Sequence, residues 1–125
     1  MTDPAAFEVP VKRVEKPWGY EIHYALTDGY CGKVLFVRAG ESLSLQYHEV
    51  KDETIYLHSG RAEITTGELG RELVVAVIDA GRSFHLPPGT VHRLVAVEDS
   101  TFLEASTPQL DDIVRLEDRY GRSRR

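Results

Sequence analysis

The chain has one cysteine, Cys31, so no disulfide framework can form within it, and a lone thiol suits a reducing cytoplasm. It has no apolar run near the length of about 18 residues that a membrane helix needs. The N-terminal stretch MTDPAAFEVPVKRVEKPWG lacks the apolar centre of a secretory signal. The expectation is a cytoplasmic chain with no membrane partner. Positive charge is also short: 15 Lys and Arg stand against 20 Asp and Glu, for a net charge of −5. A general nucleic-acid binder needs a basic face for phosphates, so nucleic acid is excluded as a partner. The one basic stretch, YGRSRR at the C-terminus, reads as a solvated, frayed end. Helical periodicity is missing too, with no stretch of ten or more residues carrying it before the tail.

What the chain does have is punctuation. Ten glycines and six prolines separate short runs rich in Val, Leu, Ile, Tyr and Phe. KVLFVR, SLSLQYH, ETIYLHS, RAEIT, ELVVAVI, SFHL, HRLVAV and TFLEAS read as strands. RAGES, HSGRA, TGELGRE, DAGRS, LPPGT and VEDST read as the turns between them. With 125 residues this predicts one all-β domain, a sandwich or barrel with a single core. Residues 1–16 are expected to be an arm that becomes a strand on docking to a partner. Residues 17–108 form the barrel, and 109–125 a tail packing on it with a frayed end. Within the tail, DDIVRLEDRYG can make a turn or two of helix capped by Asp111, or run extended.

The chemistry gathers in SLSLQYHEVKDETIYLHSG, residues 42–60. In a strand, Ser42, Ser44, Gln46 and His48 share one face, and Leu43, Leu45 and Tyr47 the other. Glu53 opens the next strand and can return beside His48. GRSFHLPPGTVHRL supplies His92 at the start of another strand. Two imidazoles and a carboxylate, with an amide oxygen from Gln46, suit one divalent transition metal, Zn, Fe, Mn, Ni or Co, with positions left open. Gln46 is either a direct ligand or a hydrogen-bond partner of a bound water or of Glu53. His58 and His85 are expected to face away from the cavity, and His23 to lie on the surface. Trp18 is expected in the core. The apolar face of Leu43, Leu45 and Tyr47 needs a cover, from the arm or a second subunit, which predicts a homodimer. Arg38 shares the face of Val34 and Phe36, which places it in the interior as a substrate-binding cation ahead of Lys33 and Arg93. Lys51 sits at the mouth beside Glu53, as a charge or as a desolvated proton-transfer base.

GESLSLQYHEVKDETIYLHSG (Gly40 to Gly60) and GRSFHLPPGTVH (Gly81 to His92) resemble the two motifs of the cupin superfamily, and His48, Glu53 and His92 match its ligand positions. The resemblance implies a double-stranded β-helix, or jelly-roll, barrel. KPWGYE, LSLQYH and DDIVRLEDRYGR are similar to segments of the type II mannose-6-phosphate isomerases, which usually carry a mannose-1-phosphate guanylyltransferase domain as well. That group also has a glutamine where Gln46 stands. It has an arginine where this chain has Lys51, which keeps the charge and loses the bidentate fork.

What the resemblance implies is a metal-dependent isomerase of a phosphorylated sugar, mannose 6-phosphate and fructose 6-phosphate being the pair to try. Arg115, at the arginine of the tail motif, is implied as an electrostatic partner of the enediolate or phosphate. Two rivals remain at this point: a metal- or sugar-binding module without turnover, and an Fe-dependent dioxygenase, whose metal face the same trio would provide.

Overall fold

The computed structural model describes residues 5–122, which carry eleven strands and no helix. In chain order these are β1 (Lys12–Lys16), β2 (Gly19–Leu26), β3 (Cys31–Val37), β4 (Leu45–Tyr47), β5 (Glu53–Ser59) and β6 (Arg61–Glu68). They are followed by β7 (Val74–Asp79), β8 (Ser83–Leu86), β9 (Thr90–Ala96), β10 (Ser100–Ser106) and β11 (Val114–Glu117). All pairings between these strands are antiparallel. One sheet runs β1-β2-β3-β10-β5-β8 and the other β11-β4-β9-β6-β7.

Alternation dictates what lies between the sheets. Along β5, Glu53, Ile55 and Leu57 are buried while Tyr56 and His58 are exposed. The same period makes Leu35, Val37, Ile64, Leu94 and Phe102 one apolar core with Trp18, which is 2% exposed. Gly19 lets that core close. A Cβ there would stand 1.9 Å from the carbonyl oxygen of Phe36, so only glycine allows β2 to enter so near β3.

The eight expected strands are all present, and three more join them. β1 pairs with the chain's own β2, from Lys12 opposite His23 to Lys16 opposite Gly19, so this part of the arm needs no partner to become a strand. The boundary expected after residue 16 falls inside that hairpin. The tail runs extended, its β11 adding an edge strand beside β4. Arg122 is half-buried and grips Asp118 with both guanidinium and backbone, so the basic stretch is not solvated at that residue. Residues 123–125, the rest of the expected frayed end, lie outside the described residues, as do residues 1–4.

Two expectations about faces are corrected. On β3 the buried set is Cys31, Lys33, Leu35 and Val37. Phe36 points outward and stacks on Tyr20, with ring centroids 5.2 Å apart. Arg38 therefore lies outside with Val34 and Phe36, exposed and donating to the carbonyl oxygen of Pro17 at 2.9 Å, and Lys33 takes the interior place. The strand expected over residues 42–48 shrinks to β4, so alternation does not reach Leu43, which packs on the core. Leu45 is 7% exposed and Tyr47 half-buried within the single chain. The face from which a homodimer was argued is thus largely covered by the chain itself.

Candidate metal centre

His48 follows β4, Glu53 opens β5 and His92 lies in β9, so the two sheets contribute to one spot. Their ligand atoms all fall within 4.8 Å of one another and all three side chains are buried. His48 Nε2 is 2.6 Å from Glu53 Oε2, and His92 Nε2 is 3.7 Å from the same oxygen. Each imidazole turns its other nitrogen to a backbone carbonyl, His48 Nδ1 to Asp112 and His92 Nδ1 to Thr90, the latter at 2.9 Å. A carbonyl only accepts, so both Nδ1 atoms carry protons, which leaves the two Nε2 atoms, turned toward the carboxylate, as the atoms able to ligate an ion.

That arrangement is made for a cation. Glu53 Oε2 is buried with no donor hydrogen-bonded to it, despite its closeness to His48. Lone pairs do not converge on a buried oxygen unless something positive completes them, and a nitrogen and oxygen donor set without thiolate fits a first-row divalent metal. Burial pushes the Glu53 carboxyl up, but its contact with His48 and the charge of Lys51 pull it well below the usual carboxylate range, so the group is an anion ready for a cation. Burial pushes His92 down against the pull of Glu53, which keeps that ring neutral and able to ligate. Gln46 stands opposite His92 on adjacent strands, and its amide oxygen accepts from Ser44 Oγ at 3.0 Å.

The loop joining the first two ligands is tied down by the tail. The Asp112 carboxylate accepts backbone N–H bonds from Glu49, Val50 and Lys51 at 3.0, 2.7 and 2.8 Å. The trio opens into a cavity of about 620 Å³ between the sheets. Lys51 lines it, with Nζ 2.9 Å from Glu104 Oε2, which also accepts from Ser106 Oγ at 3.0 Å. Burial works to lower the Lys51 pKa, and Glu104 and Glu53 raise it by more, so the ammonium stays charged. Lys51 is therefore a fixed cation and not a desolvated base.

Arg115 lines the same cavity from β11, opposite Gln46, whereas Arg38 does not reach it. His58 and His85 are exposed, His85 meeting Asp52 at 2.7 Å. His23 is not a surface residue. It is half-buried in the cavity wall, bonded to Glu21 at 2.7 Å, and Glu21 also lies 3.5 Å from Lys33. These residues escaped the sequence reading because GYEIHYAL places Glu21 and His23 inward, where alternation leads one to look for Ile22 and Tyr24. The signal available was Glu104 in TFLEAS, a carboxylate two residues from buried Phe102 and so on the core face.

A protein-family model of the cupin domain matches residues 33–104, more than half of the chain and inclusive of the whole trio. The chain belongs to the cupin family. Among curated proteins, this cupin is 32% identical to the xanthan biosynthesis protein XanB of Xanthomonas campestris pv. campestris over 122 residues, covering 90% of the chain and 24% of the relative. It is 31% identical to the mannose-1-phosphate guanylyltransferase ManC of Salmonella typhimurium, covering 89% and 23%. It is 33% identical to the alginate biosynthesis protein AlgA of Pseudomonas putida over 115 residues, covering 88% and 23%. The chain thus spans about a quarter of the length of these relatives, corresponding to the cupin region of guanylyltransferase and isomerase fusions. Among solved structures, CapF, a capsular polysaccharide assembling protein of Staphylococcus aureus, superposes with a TM-score of 0.76 at 18% identity, covering 90% of this chain and 33% of that one. Oxalate decarboxylase of Lactobacillus farciminis gives 0.71 at 17%, covering 85% and 33%. At such identities these two speak for the fold alone. No helix among the described residues is long and apolar enough to cross a membrane.

Proposed function

We propose that this cupin is a metal-dependent isomerase that interconverts an aldose phosphate and a ketose phosphate, with mannose 6-phosphate and fructose 6-phosphate as the first pair. The observation that carries the reading is the buried trio His48, Glu53 and His92, with an orphaned carboxylate oxygen, opening into a cavity lined by cations. Relatives named for mannose 1-phosphate chemistry and for polysaccharide synthesis support the sugar-phosphate class. The cofactor is one divalent ion, Zn, Mn, Fe, Ni or Co, held by the trio with Gln46 beside it. The buried free thiol of Cys31 is at home in the cytoplasm.

Aldose–ketose exchange moves a proton between C1 and C2 while charge develops on oxygen. A divalent ion in this site supplies Lewis acidity to the sugar oxygens. Lys51, kept charged by Glu104, adds a fixed positive charge beside Glu53 at the place where that oxygen charge grows. His23 lines the same cavity at the Lys33 end, its ring held by Glu21. Arg115 faces the substrate from β11.

The test is conversion of mannose 6-phosphate to fructose 6-phosphate by purified protein of measured metal content, alongside other hexose and pentose phosphates. Turnover that follows metal loading is the expected result. Metal-loaded protein that binds these sugars and converts none would make it a binding module, and oxygen consumption with a small organic substrate would make it a dioxygenase.

A further inference from the structure

The end of the cavity away from the trio has its own electrostatics. β1 sends alternate residues Lys12, Val14 and Lys16 toward the cavity, β3 sends Lys33, and the tail sends Arg115 and Arg122. Lys33 has Glu21 at 3.5 Å and Arg122 has Asp118 at 2.8 Å. Among the described residues, the half-buried ammonium of Lys16 has no hydrogen-bond or ion-pair partner. Burial lowers its pKa, and although Glu21 works against this, Lys33, Arg122 and Arg115 lower it further. A partly desolvated ammonium facing other cations is a repulsive arrangement that folding alone has no reason to build. An anion placed among them removes the repulsion.

We infer that the end of the cavity walled by Lys16, Lys33 and Arg122 is an anion subsite that takes the terminal phosphate of a five- or six-carbon sugar phosphate. This rests on the isomerase reading for the sugar and on the cation cluster for the phosphate. Its distance from the trio sets the length of ligand. Lys33 pairs through Glu104 with Ile55, two residues from Glu53, so the backbones of Lys33 and Glu53 are about 12 Å apart at the usual strand spacing of about 4.8 Å and rise of about 3.4 Å, and the side chains reach inward from both. An open-chain hexose 6-phosphate reaches roughly 8 Å from C1 to phosphorus at about 1.2 Å per extended bond, and a triose phosphate roughly 5 Å. The longer sugar bridges trio and subsite, and the shorter one does not.

The experiment measures binding of mannose 6-phosphate, unphosphorylated mannose and glyceraldehyde 3-phosphate to the metal-loaded full chain by calorimetry, for the native protein, Lys16→Met and Arg122→Met. Lys16→Met removes an ammonium that has no carboxylate partner, so metal content should stay at the native value and the melting temperature should not fall. Its affinity for mannose 6-phosphate should fall at least tenfold while that for mannose does not change, and Arg122→Met should act in the same direction. Glyceraldehyde 3-phosphate should bind the native protein at least tenfold more weakly than mannose 6-phosphate. Native protein that prefers mannose 6-phosphate no more than mannose, or variants that bind it as tightly as native, would overturn the subsite. Turnover separates the two ideas: isomerisation with an unchanged KM in Lys16→Met sinks the subsite alone, whereas Lys16-dependent binding without turnover sinks the isomerase alone.

Discussion

Lys51 and Glu104 are each about 5% exposed and lie 2.9 Å apart, so neither charge has water to turn to if the other is removed. Lys51→Met should cost about 3 to 5 kcal/mol, the usual result of leaving a buried charge without its partner. Lys51→Met combined with Glu104→Gln should recover most of that loss in urea unfolding. If the double variant is no more stable than the single one, the pair is not coupled. The trio itself was legible because two motif segments placed His48, Glu53 and His92 by register. Arg38 was misplaced because the larger apolar residues beside it, Val34 and Phe36, lie on the outside of the sheet, where Phe36 stacks on Tyr20, and not in the core. Residue size at alternate positions does not say which face is inside until the neighbouring strand is known.

At the scale of elements, the tail and the loop of residues 48–52 form one device. The Asp112 carboxylate gathers three consecutive N–H groups of that loop while its carbonyl fixes the proton on His48. Burial raises the Asp112 pKa, but the N–H bonds from Glu49, Lys51 and Val50 together outweigh it, so the folded carboxyl titrates below its unfolded value. The sign follows directly. The contribution is complete above the ordinary carboxylate range and is lost as pH falls through the depressed folded pKa. Asp112→Asn should therefore be less stable than native by about 2 kcal/mol at neutral pH. It should also bind metal about 10- to 100-fold more weakly, as expected when a group that orients a ligand is loosened. The stability gap should close in acid, and urea midpoints from pH 7 down to pH 3 would show it; a gap that stays constant with pH means the carboxylate is not the anchor. Sequence patterns left this tail open between helix and strand because DDIVRLEDRYG carries no decisive propensity. What settles it is β4, whose free edge pairs with Val114 and Arg115, a tertiary contact with no local signature.

For the whole molecule, regular turns at glycine made the all-β architecture readable from one end to the other, while the pairing of its edges was not. Among the described residues, the exposed large apolar side chains are scattered, from Phe7 and Val11 in the arm through Tyr30, Val50 and Leu69 to Val74, Val75 and Val77 of β7 at 67, 56 and 53%, and Leu43, Leu45 and Tyr47 are not among them. The trio has a global consequence as well. His92 lies in the five-stranded sheet, His48 just past its strand β4, and Glu53 in the six-stranded sheet, so an ion held by all three ties the two halves together. Binding that favours the folded state alone stabilises it by mass action, about 2.7 kcal/mol at a hundredfold excess over Kd, or roughly 10 °C in melting temperature for a chain this size. A chelator should lower the melting temperature by that order, and added divalent ion should restore it. His92→Ala should melt near the chelated value and ignore both treatments, because the ligand that brings β9 to the ion is gone. Native protein that melts at the same temperature with and without chelator, at a metal content shown to change, would mean that the trio holds no ion of structural consequence.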